Sequence, residues 1–346
     1  MTGELVERLV GSDVLPDWIL RLGIRRLLRA RLKEIEAGGV ERQQERVAGL
    51  IADMDRSPIA VATIDANAQH YELPPEFFRS ILGKRMKYSC GYWPQGTTDL
   101  DAAEERMLAL TCERAGIRDG ERILELGCGW GSLTLYMAEH FPGARIIAVS
   151  NSRLQRTHIL HEAKKAGRKN VRVLTADMNT FLPPGRFDRV LSVEMFEHMR
   201  NYRRLLGIIA GALKHRGFLF VHMFAHREHP YFFEVRDGSD WMAKYFFTGG
   251  MMPSDGLIYA FQDRFSVERH WRVSGGHYKQ TAEAWLQRLD INRPRIMPLF
   301  RRVYGDEAAG RWYASWRVFF MSCAELWGYH GGNEWIVSHY LLRKRN

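Results

Sequence analysis

Between residues 122 and 224 the chain alternates short apolar runs with stretches in which apolar positions recur every three or four residues. The runs at 122–126, 145–150, 171–177, 188–195 and 217–224 predict strands, and the stretches at 132–138, 153–167 and 202–214 predict the helices between them. Because the runs are apolar almost throughout, they suit strands covered on both faces, so the expected fold is α/β with a mostly parallel sheet between helices. Ligands of such sheets bind beyond the carboxyl ends of the strands, which directs attention to the residues just after each run.

Upstream, Leu20, Ile24, Leu27, Leu28, Leu32 and Ile35 fall at helical spacing, Gly38-Gly39 ends that helix, and 40–54 and 98–115 read as further helices. Downstream, 265–273 and 335–342 complete the sheet, and a mainly helical insertion at 281–326 would roof the site. The expected organisation is an amino-terminal helical lid with pocket loops (1–95), a core (96–275) carrying an aromatic insertion at 225–253, a helical substrate cap (276–333) and a last strand (334–346).

At 346 residues the chain is long enough for one large core with added helical layers. The formal charge of +10 is spread widely, except that Arg21, Arg25, Arg26, Arg29, Arg31 and Lys33 crowd the first helix with no acid among them. That helix, spanning 18–36, either closes on the body as a lid, the favoured reading, or touches an anionic membrane surface. No apolar run approaches the roughly 18 residues of a membrane span, nothing points to nucleic acid, and monomer and homodimer both remain open. Four cysteines without paired spacing and no signal peptide lead us to expect a reducing, cytoplasmic setting.

Residues 123–131 read Ile-Leu-Glu-Leu-Gly-Cys-Gly-Trp-Gly, a strand running into a glycine turn and then a helix. Glycines at 127, 129 and 131 let the backbone turn sharply and a ligand approach the helix amino terminus. Dinucleotide folds space their glycines as Gly-x-Gly-x-x-Gly; with Glu125 ahead of it, Gly-x-Gly-x-Gly resembles motif I of class I S-adenosylmethionine-dependent methyltransferases. Ser150-Asn151-Ser152 and Gln155 follow the second strand, where an amide can replace the usual ribose-binding acid, and Asp177-Met178 follow the third, suited to an adenine ring or to capping a turn. Glu194-Met195-Phe196-Glu197-His198 ends the fourth strand. Two acids and a histidine at that rim are costly to desolvate unless they act: a carboxylate can attract an ammonium, and a histidine or second carboxylate can accept its proton. His222, His226 and His229 straddle a strand end instead of sharing a helical face, and methyl transfer from a sulfonium needs no Lewis acid, so no metal is expected.

These motifs occur in order with Tyr71-Glu72, Lys87-Tyr88-Ser89-Cys90, Asp240-Trp241 through Gly249-Gly250, His277-Tyr278 and Glu334-Trp335 through His339. Over nearly everything after about residue 66 the chain resembles coclaurine N-methyltransferases and related benzylisoquinoline alkaloid N-methyltransferases, and more distantly cyclopropane-fatty-acyl-phospholipid synthases. The resemblance implies a class I methyltransferase Rossmann-like fold acting on a small amine. It also implies S-adenosylmethionine, leaving as S-adenosylhomocysteine, bound by Tyr88, Ser89, Gly127, Gly129, Asn151, Gln155, Asp177 and Met178. Glu194, Glu197 and His198 would be catalytic, and Tyr71, Glu72, His222 and Phe224 would meet the substrate.

The runner-up is a synthase-like enzyme adding a methyl or methylene to an unsaturated acyl chain. Synthases carry glycine where this chain has Glu194, and we expect their bicarbonate-holding tyrosine near Phe319-Phe320, where this chain has none. Cys90, Glu197 and His222 do match the remaining bicarbonate ligands. A binding protein without turnover is the third class, and the acidic cluster argues against it.

Overall fold

The computed structural model describes residues 15–61, 73–234 and 248–345. Its amino-terminal helices are α1 (Asp17–Glu36), α2 (Gly39–Arg56), α3 (Pro75–Ile81) and α4 (Leu100–Ala115). The alternating core follows as β1 (Arg122–Leu126), α5 (Ser132–His140), β2 (Arg145–Ser150), α6 (Arg153–Lys165), β3 (Val171–Thr175), β4 (Phe187–Val193), α7 (Tyr202–Ala212) and β5 (Leu213–His226). A short hairpin of β6 (Tyr231–Phe232) and β7 (Met251–Met252) precedes β8 (Phe265–Val273). Helices α8 (Gly275–Ile291), α9 (Arg293–Tyr304) and α10 (Asp306–Gly328) then lead to β9 (Trp335–Lys344).

Seven strands form one sheet in the order β3-β2-β1-β4-β5-β9-β8. The first five are parallel, and β9 runs antiparallel to both its neighbours. Strand order reverses between β1 and β4, which opens a crevice at their carboxyl ends. The period of two along β1 sets the layers. Ile123 packs with Leu108 and Cys112 of α4 and Met137 of α5, whereas Leu124 and Leu126 pack on the other face with Met54 of α2 and Leu205, Leu206 and Ile209 of α7. A third apolar cluster joins α1, α3 and α8 to α10, and meets the sheet through Trp130, Phe224, Trp335 and Val337.

Local chemistry fixes the boundaries. Asp99 Oδ1 accepts the Ala102 N–H at 2.8 Å and caps α4, and Asn201 Oδ1 does the same for α7 through Arg204 at 2.9 Å. Strand β5 begins at Leu213, earlier than its apolar run predicts, because Leu213 already pairs with Phe187 across a register irregularity. The carboxy-terminal helical region begins at Gly275, where an added Cβ would stand 2.1 Å from the Trp335 carbonyl and 2.4 Å from that of Trp327.

Helix α1 turns Leu20, Ile24, Leu28, Leu32 and Ile35 onto the body, and its basic side is partly ion-paired. Arg21 Nη1 donates to Glu283 Oε1 (2.6 Å) and Glu325 Oε1 (3.0 Å), and Arg25 Nε donates to Glu325 Oε2 (2.5 Å). Leu27, expected on the apolar side, is instead 53% exposed. No helix among the described residues is long and apolar enough to cross a membrane. The aromatic residues Trp241, Tyr245, Phe246 and Phe247 lie outside the described residues.

Candidate active site

The turn after β1 uses its three glycines differently. All have positive φ (75°, 51° and 84° at Gly127, Gly129 and Gly131), a region other residues enter only with strain. A Cβ on Gly127 would stand 2.8 Å from Met195 Cβ, and one on Gly131 2.6 Å from Ile159 Cγ1, so these two glycines make room for protein. A Cβ on Gly129 would meet nothing within 4 Å. The sequence suggests that all three admit a ligand; Gly127 borders the cavities while also making room for Met195, Gly131 makes room for Ile159, and Gly129 faces open space.

Two cavities of about 800 and 570 Å³ meet around this turn, sharing Gly127, Gly129, Gln155 and Glu194. The larger is walled by Asn151, Asp177 and Met178 and reaches Glu194 and His198; the smaller is walled by Lys87, Tyr88, Ser89 and Glu125. Every residue expected to hold the cofactor therefore borders one cleft. Gln155 is 2% exposed, its Oε1 accepts from Ser150 Oγ (2.6 Å), and its Nε2 has no partner among the described residues. Leaving a buried amide donor unmatched costs about 1–3 kcal/mol. An open cradle at Gly129 and a waiting donor at Gln155 fit a nucleoside with free hydroxyls. Asp177 borders the cleft and also caps its own turn, since Oδ1 accepts the Asn179 N–H at 2.8 Å.

Where the two cavities meet, Glu194 sits in a cage of donors. Its Oε1 accepts from the Cys90 N–H (2.9 Å) and stands 3.2 Å from His222 Nε2; its Oε2 accepts from the Tyr278 hydroxyl (2.7 Å). Burial raises the Glu194 pKa, and Lys87, the Cys90 amide and the Tyr278 hydroxyl oppose that rise. His198 lines the same cavity, and burial lowers its pKa, with Glu194 acting the other way. A carboxylate and a neutral imidazole thus face one space.

Glu197 and His222 stand behind that space. Glu197 is 1% exposed, its Oε1 accepts the Phe224 N–H (2.6 Å), and burial followed by the Glu194 charge pushes its pKa well above the carboxylate range. Fully buried His222 is driven well below the usual imidazole pKa by desolvation, so it is neutral, and the carboxylate opposite its Nε2 favours the tautomer that donates a hydrogen bond from that nitrogen. The His222 ring lies tilted against that of His339, centroids 4.5 Å apart, and His339 Nδ1 accepts from Arg114 (2.8 Å). Phe224 packs on Trp327, with ring centroids 5.4 Å apart. Neither His222 nor Phe224 is among the side chains walling the two cavities. Tyr71 and Glu72 lie outside the described residues.

The three histidines of the metal question do not gather into one cluster. His222 faces Glu194, while His226 Nδ1 accepts the backbone N–H groups of Glu228 and His229. Among the described residues no group of three or more histidine, cysteine or acidic side chains could hold a metal.

Sequence reasoning missed two participants, Tyr278 and Lys87, although both stand in motifs that carry the resemblance. No tyrosine stands at Phe319-Phe320, but α8 delivers another hydroxyl, that of Tyr278, to Glu194 from elsewhere in the chain. Two of the groups expected to ligate bicarbonate, Cys90 and His222, instead bind the chain's own carboxylate.

The sheet order, the Gly129 cradle and the cleft beyond β1 and β4 define an S-adenosylmethionine-dependent methyltransferase of class I. Residues 60–330 match the family described as mycolic acid cyclopropane synthetase. The (S)-coclaurine N-methyltransferase of Thalictrum flavum subsp. glaucum is 39% identical over 330 residues, covering 93% of this chain and 91% of that protein. The enzyme of the same name from Papaver somniferum is 36% identical, with 93% and 94% covered. A crystal structure of coclaurine N-methyltransferase bound to N-methylheliamine and S-adenosylhomocysteine superposes with a TM-score of 0.91 at 36% identity, covering 99% of both chains. The chain belongs to the cyclopropane synthetase family, in its coclaurine N-methyltransferase branch.

Proposed function

We propose that this enzyme methylates the nitrogen of a small aromatic or cyclic amine, with Glu194 holding the substrate ammonium and His198 accepting its proton. The observation that carries this reading is the Glu194 carboxylate, fixed by three donors beside a neutral imidazole where the two cavities of the cleft meet. S-adenosylmethionine supplies a methyl group already activated by its sulfonium. Asn151, Gln155, Asp177 and Met178 would hold its nucleoside, and Gly127 and Gly129 would let it lie against the turn. The chain's own residues are left to position the amine and free its lone pair, since only a neutral amine attacks. The negative charge of Glu194 draws in the ammonium form that dominates at neutral pH. His198, uncharged there, takes the proton as the nitrogen commits. Buried Glu197 holds the β5 backbone at Phe224 and acts on the site as a positioning group.

The amine class rests on relatives named as N-methyltransferases of coclaurine and on the N-methylheliamine bound in the related crystal structure. With Glu194 filling the cage formed by Cys90, Tyr278 and His222, a small external anion has no room there, which disfavours alkene cyclopropanation.

The deciding experiment uses donor with a trideuterated methyl group, a panel of cyclic secondary amines and an unsaturated phospholipid. A methylated amine retaining all three deuteriums, formed equally fast after bicarbonate removal, is expected. A lipid product retaining two would overturn the assignment. The rate should climb from neutral to alkaline pH, because a free alkylamine titrates near a pKa of about 10 while His198 is already neutral. His198→Ala should lower kcat about 10²- to 10⁴-fold and leave S-adenosylhomocysteine affinity unchanged.

A further inference from the structure

Lys87 is the one lysine or arginine fully buried among the described residues, at 2% exposure. Its ammonium donates to Ser89 Oγ and to the Cys90 carbonyl (2.8 Å), both neutral acceptors, and no hydrogen bond to a described residue takes its third proton. Removing an ammonium from water costs several kcal/mol unless an anion compensates. Glu194 and Glu104 act on Lys87 through space, but neither bonds it.

Lys87 walls the smaller cavity, and so does Glu125, a buried acid whose Oε2 accepts from Thr134 Oγ (2.5 Å). An ammonium and a carboxyl group bordering one small space offer partners for the two polar ends of an α-amino acid group. The larger cavity, with Asn151, Asp177 and Met178, is suited to the nucleoside; the smaller, which shares Gly127 and Gly129 with it, is left for the methionyl tail.

We propose that Lys87 is a cofactor-binding residue whose ammonium takes the carboxylate of the methionyl group, with Ser89 beside it. Until that carboxylate arrives, the ammonium is under-compensated, so the site is primed for a donor carrying an intact amino acid. The inference deepens the methyltransferase reading through the cofactor alone and stands or falls independently of the amine substrate.

The test compares calorimetric affinities for S-adenosylhomocysteine and its decarboxylated analogue S-adenosyl-3-thiopropylamine, which keeps the adenosine, sulfur and amine. Wild-type protein should prefer the carboxylate-bearing ligand by about tenfold or more, the size of one charge-assisted hydrogen bond. Lys87→Met should abolish most of that preference while binding the decarboxylated ligand as the wild type does. If Lys87 only braces the loop, both ligands weaken together and the ratio survives, which overturns the proposal. Should the Met variant fail to fold, Lys87→Gln is read in the same way. Equal affinities in wild-type protein alone would also overturn it.

Discussion

Glu194 occupies left-handed backbone space at φ 47°, where a non-glycine residue bears about 1–3 kcal/mol of strain. Three hydrogen bonds to its carboxylate, each contributing about 1.5–3 kcal/mol, more than offset this, so the strained conformation persists. Glu125 shows the opposite balance. It has one side-chain donor, and burial pushes its pKa up to about 8. A carboxyl raised in this way stabilises the fold fully below its ordinary pKa of about 4.5, and that contribution is lost as pH climbs towards 8. Buried histidines such as His226, lowered to about 3, act in the opposite sense at acid pH, so the clean readout is a difference. The melting temperature of Glu125→Gln should match that of wild type near about pH 5 and exceed it increasingly up to about pH 8 without cofactor. A gap that does not change with pH would contradict the raised pKa. At this scale the sequence was informative about which residues border the cleft, since a glycine turn and strand ends locate them. It could not rank them, because whether Glu194 or Glu197 faces the open space depends on a 3₁₀ turn at Phe196–His198 that burial patterns do not encode.

Among the elements, α1 was readable as an amphipathic helix, but its mode of attachment was not. Arg21 looks like a surface cation until Glu283 and Glu325 are brought to it from 262 and 304 residues away. Exposed ion pairs contribute about 0–1 kcal/mol. Here the Glu325 side chain is only 8% exposed, so removing one of its two arginine partners weakens the compensation of a largely desolvated charge and costs more. Arg21→Met keeps the packing stem and should loosen α1 selectively. Hydrogen exchange across Asp17–Glu36 should accelerate while β1, β4 and β5 keep their protection. Unaltered exchange in α1 would mean that the Leu20, Ile24 and Leu28 face alone holds it down. The β/α alternation was more legible because β1 and most of β2, β4 and β5 are buried on both faces, and each of β1 to β5 adjoins a sequence neighbour or a single crossover.

Across the whole molecule, β9 lies between β5 and β8, far from β5 in sequence yet bonded to it along nine residue pairs from Phe218–Arg343 to His226–Trp335. A chain emerging from the ribosome therefore completes β1 to β5 and then exposes the bare edge of β5 throughout synthesis of α8 to α10. Translation sets a waiting period during which the half-sheet is open to proteases, to chaperones and to other nascent copies. Chains stalled before Trp335 should be cut readily within β5 and α8 and become resistant once β9 clears the exit tunnel. Equal resistance at both stages would show that the first five strands close without their last neighbour.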